Sequence, residues 1–534
     1  MDIIGGCVGR LMRCARKVPG AVAARHCRSS VGKAGGMVAL GCLVALAGCV
    51  QSREIYLDAR ASRARSYRTW ARTKHDGGQA EAVLSGELSL QQAVEVACAH
   101  NKDIQAALQE QARAAGRLWQ GRSAALPSLT ASTSYYRLDE PTGTVQIAGT
   151  TLTSGAVDNY SQGFVLRQPL FQGGAISASI RSAHIFELMA DEAVRRAVGE
   201  VVFEVARDYL DVLFAQKLHE VYRNALLSAQ AQFDSVQRMK GAGLATEFDV
   251  LRAQVEVSNT EADVVRQESK ISLAVSSLLK AMGLSQDSQV TLTSALEHLP
   301  VNPDFDEVVA DAYGRRAELY QAEFDLRMQQ EELRRARSRS WPTLDAVFTY
   351  LWSKPDPHNG ARIEWGRRWY GGISLTWYVF DGMRREGEIA EGKALLRQKR
   401  LRLENLEEQV QLELRQAMLG IEDAERLIKV QELNVKRAQE GLRMAMRGYP
   451  DVATLVEVTD ARAALVRAEG QYWEAVAEHC LARLSLQQAM GMLEPEPGAM
   501  REPTKVPPPA QQPLSAETPA AVSDSAEGAR RPAE

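Results

Sequence analysis

Three carboxylates sit where the chain turns from one helical run into the next. Asp249 follows Gly241-Ala242-Gly243, while Glu457 and Asp460 follow Tyr449 and Pro450. Thr246-x-x-Asp249 and Thr454-x-x-Glu457 have the spacing of helix N-cap pairs, in which the hydroxyl and the acid each satisfy a free backbone N–H. The positive end of a helix dipole favours acids there as well. Capping accounts for two of the three acids and leaves Asp460 over.

Other patterns fail on residue type. Gly387-Glu388-Ile389-Ala390-Glu391-Gly392-Lys393-Ala394 nearly spells a phosphate-binding loop. Ala394 stands where Mg²⁺ needs Ser or Thr, and two acids would repel phosphate, so the segment reads as helix. His219-Glu220 lacks the second His of a zinc-protease helix. No Cys/His spacing suggests zinc, and no nucleophile–base pair stands out. No catalytic, cofactor or metal residue is assigned, and an enzyme is not expected.

The N-terminus reads as a targeting segment. Residues 1–36 are rich in Arg and Lys, and Met37–Ala47 is an apolar run too short to span a membrane. It ends in Leu46-Ala47-Gly48-Cys49, which resembles the bacterial lipobox; Cys49 is therefore the candidate lipidation site. Val50 rather than Asp after it favours the outer membrane. A signal cleaved without lipidation is the alternative, and Met12 is an alternative start. Four of the other Cys residues fall in the leader. Cys98 and Cys480, in helical patterns among apolar neighbours, read as buried free thiols.

Composition narrows the classes. Basic and acidic residues nearly balance (64 against 67), so no nucleic-acid footprint stands out. Charged residues are 25% of the chain, too many for a polytopic helical membrane protein. No run of about 20 apolar residues exists for a spanning helix. Membrane insertion would have to use strands.

The elements that carry these residues occur twice. Asp249–Ala253 corresponds to Glu457–Ala461, and Ala281-Met282-Gly283 recurs as Ala489-Met490-Gly491. Phe171-Gln172-Gly173 matches Phe380-Asp381-Gly382, and Pro127-Ser128-Leu129 matches Pro342-Thr343-Leu344. Helical periodicity predicts long helices over 174–240 and 383–446 and shorter ones over 101–124, 247–282, 317–340 and 455–490. Their lengths suggest two short helices stacked end to end along each long one. Between them lie strand pairs, Leu126–Arg137 with Ser161–Phe171 and Trp341–Trp352 with Tyr370–Phe380. Leu344, Ala346, Phe348, Tyr350 and Trp352 share a face opposite Thr343, Asp345 and Thr349, as in a strand between lipid and a wet lumen. Trp341, Trp352, Trp365, Trp369 and Trp377 fit an aromatic girdle. Four strands cannot close a barrel alone, and lipid tolerates no open strand edge, so an oligomer is expected.

The order helix, helix, strand, strand, long helix, helix, given twice, resembles the TolC/OprM family of outer-membrane factors. Gln168-Pro169-Leu170-Phe171-Gln172-Gly173-Gly174, Tyr378-Val379-Phe380-Asp381-Gly382 and the turns 243–253 and 449–461 carry the resemblance, which covers about 87 to 491. It implies an α+β fold: a duplicated helical-hairpin/β-hairpin unit with a long periplasmic helical barrel and a transmembrane β-barrel. A homotrimer would complete that barrel, with four strands per chain and twelve per trimer. The implied role is a passive export channel in outer-membrane lipid, docked to a periplasmic adaptor (membrane fusion) protein and an inner-membrane pump. The resemblance also implies that Asp249, Glu457 and Asp460 ring the periplasmic aperture. The basic residue that some members place near this turn is not evident; Ala453 stands there. A soluble periplasmic helical scaffold without a pore is the alternative.

The domain reading is a signal peptide over 1–48, a linker over 49–86, a first repeat over 87–283 and a linker over 284–300. A second repeat over 301–491 and a disordered tail over 492–534 complete it.

Overall fold

The computed structural model describes residues 55–69, 71, 85–140, 143–147, 150–301, 303–359, 362–449 and 453–495. The proposed signal, Cys49 and residues 496–534 lie outside them. The described residues belong to two compact units, the first ending at Ala82 and the second starting at Val83. In the first, residues 55–69 are helical and exposed, within the stretch 49–86 read from sequence as a linker.

The second unit opens with β1 (Ser85–Leu88), α1 (Leu90–His100), α2 (Lys102–Ser123) and β2 (Ser128–Arg137). A hairpin of β3 (Gly143–Ile147) and β4 (Thr150–Ser154) leads to β5 (Asp158–Gln172), α3 (Ala175–Gly241) and α4 (Glu247–Met282). The second half runs β6 (Gln289–Leu292), α5 (Phe305–Arg315), α6 (Ala317–Ser338), β7 (Thr343–Lys354), β8 (Gly366–Thr376), α7 (Arg384–Gly448) and α8 (Leu455–Ala489). The long helices match their expected limits within two residues, and the phosphate-loop look-alike lies inside α7.

Each helix begins and ends for a local reason. Ser89 and Gln92 form a capping box on α1, and the Asn101 side chain accepts from the Asp103 and Ile104 amides to start α2. Gly283, at φ 72°, ends α4; a Cβ there would lie 2.6 Å from the His100 carbonyl oxygen. Its counterpart Gly491, at φ 71°, lies against Arg315 and Arg316 at the α5–α6 junction. Each half is thus closed by an equivalent glycine contact of its own.

At 67 residues, α3 is roughly 100 Å long. Both α2 and α4 pack along it, and α6 and α8 pack along α7, as the stacked-helix reading expects. α3 also packs against α6 and α8, which joins the halves. One core sits midway along α3, where Val205, Tyr209 and Val212 meet Leu88, Leu278, Leu279 and Met282. Full burial of such a side chain is worth about 1.5–3 kcal/mol. The Tyr209 hydroxyl donates to the Leu88 carbonyl at 3.0 Å and thereby holds β1 against the helix. A matching core in the second half joins Val308, Leu319, Val410, Leu414 and Leu486.

Four corrections follow. The linker over 284–300 contains β6, which pairs in parallel with β1. The last strand of the large sheet ends at Thr376, four residues before Phe380 (380 − 376). The chain remains ordered through Pro495 rather than becoming a tail at 492: the buried Arg195 side chain donates to the Pro495 carbonyl at 2.7 Å and lies 3.5 Å from Glu494. Cys98 and Cys480 are both free, but Cys98 is exposed and Cys480 only half-buried. On α1 the inward positions are Ala93 and Ala97, so Cys98 turns outward.

Candidate functional site

Two surfaces carry the functional argument: the large sheet and the helical tips. The sheet has strand order β2-β5-β7-β8, every pair antiparallel. Its register sets Leu129, Leu166, Phe348 and Gly371 in one cross-strand row, and Ala131, Phe164, Tyr350 and Trp369 in the next. Ile373 and Leu375 continue this face opposite Ala346 and Leu344. It is open: Ile373 is 68% exposed and Leu375 65%. The opposite face holds Asp345 and Thr349, only 5% and 8% exposed. There the Arg167 guanidinium donates to Asp345 at 2.6 Å, and the Gln172 amide donates to its other oxygen at 3.0 Å. The sheet is therefore apolar outside and polar inside, which inverts the order of a water-soluble fold.

Aromatic residues mark both ends of the apolar face. Trp341 and Trp377 lie at the helix-side end, where the Trp377 indole donates to the Ser340 carbonyl at 3.3 Å. At the far end the rings of Tyr160 and Trp365 lie 6.1 Å apart, and those of Tyr350 and Trp352 lie 4.7 Å apart. All five Trp of this region are exposed. From Thr343 to Trp352 the strand advances about 30 Å at about 3.4 Å per residue. A tilt of about 40° turns that into a band about 23 Å tall, close to the apolar band of an outer-membrane barrel. No helix among the described residues is long and apolar enough to cross a membrane.

The sheet meets the helices through left-handed turns. Gly173 and Gly174 adopt φ 58° and 89° before α3, and Gly382 and Met383 adopt φ 72° and 70° before α7. A Cβ on Gly173 would lie 2.4 Å from the Ser338 carbonyl oxygen. This explains the glycines of both second-strand motifs; Met383 occupies the position without that freedom.

At the opposite end, Val236, Val250, Ala253 and Leu455 form a small core with Phe233, Ala245 and Tyr449. It brings the α3–α4 and α7–α8 tips together, and with them the three acids. Asp249 and Thr246 form a full capping box: the Thr246 amide donates to Asp249 Oδ2 at 2.9 Å, and the Asp249 amide donates to Thr246 Oγ1 at 3.2 Å. The Thr246 hydroxyl's hydrogen bond, then that of its backbone, holds the Asp249 carboxyl below the ordinary carboxylate range. Burial, and the Asp249 charge nearby, push the Tyr449 phenol up. Thr454 and Glu457 repeat the box, with the Thr454 amide donating to Glu457 Oε2 at 2.7 Å. Asp460 is exposed and has no hydrogen bond or ion pair among the described residues. Two acids are thus caps, and one is free to act only through its field.

Sequence reasoning missed Arg462, two residues on. Its side chain is buried at 3% exposure, donates to Ser228 Oγ at 3.2 Å and leaves Nη2 unpaired. Burial lowers its pKa, opposed by the Glu256 charge. Nothing local in the sequence separates it from other helical arginines. Leu244, Phe248, Leu251 and Val255 form an exposed apolar stripe along the tip and α4.

Comparison with known proteins places this architecture. The family model "Outer membrane efflux protein" matches residues 93–284 and 308–492, one segment in each repeat. The proteases secretion protein PrtF of Dickeya chrysanthemi is 23% identical over 375 residues, 69% of this chain and 79% of that protein. Nodulation protein T of Rhizobium leguminosarum bv. trifolii is 24% identical over 407 residues, 74% of this chain and 84% of that protein. Among solved structures, the Campylobacter jejuni CmeC outer membrane channel superposes with a TM-score of 0.66 at 14% identity, covering 77% of this chain and 86% of that one. That likeness shows a shared fold, while the family match spans most of the chain in both halves. The chain belongs to the outer membrane efflux protein family.

Proposed function

We propose that three copies of this chain close one twelve-stranded barrel in the outer membrane and continue as a helical tunnel into the periplasm. Docked to a periplasmic adaptor and an inner-membrane pump, the tunnel conducts export substrates passively, with the pump supplying energy and selecting cargo. A lipid on Cys49 would anchor each chain. Asp249, Glu457 and Asp460, nine carboxylates per trimer, would surround the entrance at the tips and favour cations there. The exposed stripe Leu244–Val255 supplies apolar surface for a neighbouring copy or the adaptor.

The single observation that carries the reading is the four-stranded sheet with an apolar outer face and two unpaired edges, β2 and β8, both exposed. Lipid requires every such edge to be paired. A soluble scaffold would instead leave Leu129, Trp369, Ile373 and Leu375 in water. The test is to express the full chain, fractionate membranes and reconstitute detergent-purified protein in planar bilayers. The proposal expects outer-membrane localisation and ion conductance from a trimer. A stable, detergent-free, non-conducting monomer would overturn it in favour of the scaffold.

A further inference from the structure

Away from the sheet and the tips, three side chains converge midway along the helices. His298 comes from the segment between the repeats, Glu425 from α7 and His479 from α8; their ligand atoms lie within 4.8 Å of one another. His479 is 1% exposed, yet neither of its ring nitrogens has a hydrogen-bond partner. His298 Nε2 is also buried without one. The two rings meet edge to face at 4.7 Å. His479 Nε2 is 3.8 Å from Glu425 Oε1, beyond hydrogen-bond reach.

Unpaired buried polar atoms forfeit the hydrogen bonds they had in water, and native structures tolerate few. Three in one cluster, facing a carboxylate, demand an explanation. A water bridging two imidazole nitrogens would relieve part of the cost. A divalent ion would engage a lone pair from each ring and use the carboxylate charge as well.

We infer that His298, Glu425 and His479 form a binding site for a zinc-class divalent transition-metal ion, which pins the inter-repeat segment onto the α7–α8 hairpin. Two imidazoles and one carboxylate are a zinc donor set that leaves a fourth position for water. The approach to about 2 Å requires the ligand atoms to close by an ångström or so, within reach of side-chain rotation. Glu425 is already oriented, because its Oε1 accepts from the Val301 amide at 3.3 Å. A cleft of about 530 Å³ lined by Pro300, Val301, Phe305 and Glu425 borders the cluster on its Glu425 side. The Cys480 thiol donates to the Glu297 carbonyl at 3.4 Å and thus braces the residue before His298.

The test uses untagged full-length protein, stripped with a chelator and titrated with zinc against a chromophoric competitor. One tightly bound zinc per chain is expected, with a higher unfolding temperature in excess zinc. Cobalt in its place should give the visible spectrum of a four-coordinate nitrogen/oxygen site. His298→Ala and Glu425→Gln alter half-buried positions and leave the core His479 in place, so folding is preserved. Each should weaken zinc by more than the roughly 10–100-fold that outer-shell changes cost. Variants that bind zinc like the parent, or a parent that binds none stoichiometrically, would overturn the site. Neither readout depends on conduction.

Discussion

Replacing Asp460 by Asn should change ion selectivity without changing stability, because this acid carries charge and no hydrogen bond. If three copies ring a passage about 8 Å from its axis, each contributes about 0.5 kcal/mol to a monovalent cation in water. Screening at physiological salt over that distance leaves about a third. Three charges then sum to about 0.6 kcal/mol in favour of a cation and the same against an anion, or about 7-fold in the cation/anion permeability ratio. Glu457→Gln removes an equal charge but also the charge-assisted acceptor of the Thr454 amide, whose bond is 2.7 Å. It should therefore shift selectivity similarly and cost about 1 kcal/mol as well. Thr454→Ala should cost about as much, since it removes the Glu457 amide's bond to Thr454 Oγ1 at 3.3 Å and the hydroxyl's own bond to Glu457 Oε2 at 3.1 Å. It should leave selectivity unchanged. Reversal potentials in a salt gradient, paired with thermal unfolding, read both effects. An unchanged permeability ratio in Asp460→Asn would refute the aperture assignment. Destabilisation of that variant equal to Glu457→Gln would refute the division between field and cap.

The junction turns predict opposite signs: Gly173→Ala should destabilise by about 2 kcal/mol or more, from left-handed strain plus the Ser338 clash, whereas Met383→Gly should stabilise by about 1 kcal/mol. Thermal unfolding of the two variants checks both. The Asp249 carboxyl has a depressed folded pKa, so its stabilisation is complete at neutral pH and is lost as pH falls below about 4 through the folded value. The gap between unfolding curves of the parent and Thr246→Ala should narrow from pH 7 into acid, as the hydroxyl's bond to the ionised Asp249 is lost while the Asp249 amide's bond to Thr246 Oγ1 remains; a constant gap would contradict the capping box. Mass spectrometry of the mature N-terminus should find a diacylglyceryl group on Cys49, and an unmodified N-terminus elsewhere would reject lipidation.

Elements with long local periodicity were legible from sequence, and elements defined by distant partners were not. α4 starts at Glu247 and ends at Met282 as expected, because Thr246 and Gly283 mark its limits chemically. β8 stops at Thr376 although apolar alternation continues to Phe380. Its partner β7 begins at Thr343, after Pro342, and nothing beyond that row is left to pair. β6 is a short run whose partner β1 lies in the other half of the chain, so no local pattern announces it. Helix 55–69 falls within the stretch read as a linker, although its arginines are good helix formers. At the tips, the capping pairs were visible as spacing. The split between Asp460 and the two caps needed geometry, and so did buried Arg462. His298, Glu425 and His479 come from three separate segments with no ligand spacing, so only packing brings them together.

The central claim is that β8 of one copy pairs with β2 of the next. In the observed order these strands run antiparallel, as closure requires. With Cys98 and Cys480 changed to Ser, Thr130→Cys on β2 is combined in turn with Tyr370→Cys, Gly372→Cys and Ser374→Cys on β8. Oxidation in isolated outer membranes should convert one of these pairs into a covalent trimer on denaturing gels, with dimer as intermediate. Monomer alone at every register would contradict a barrel shared by three chains.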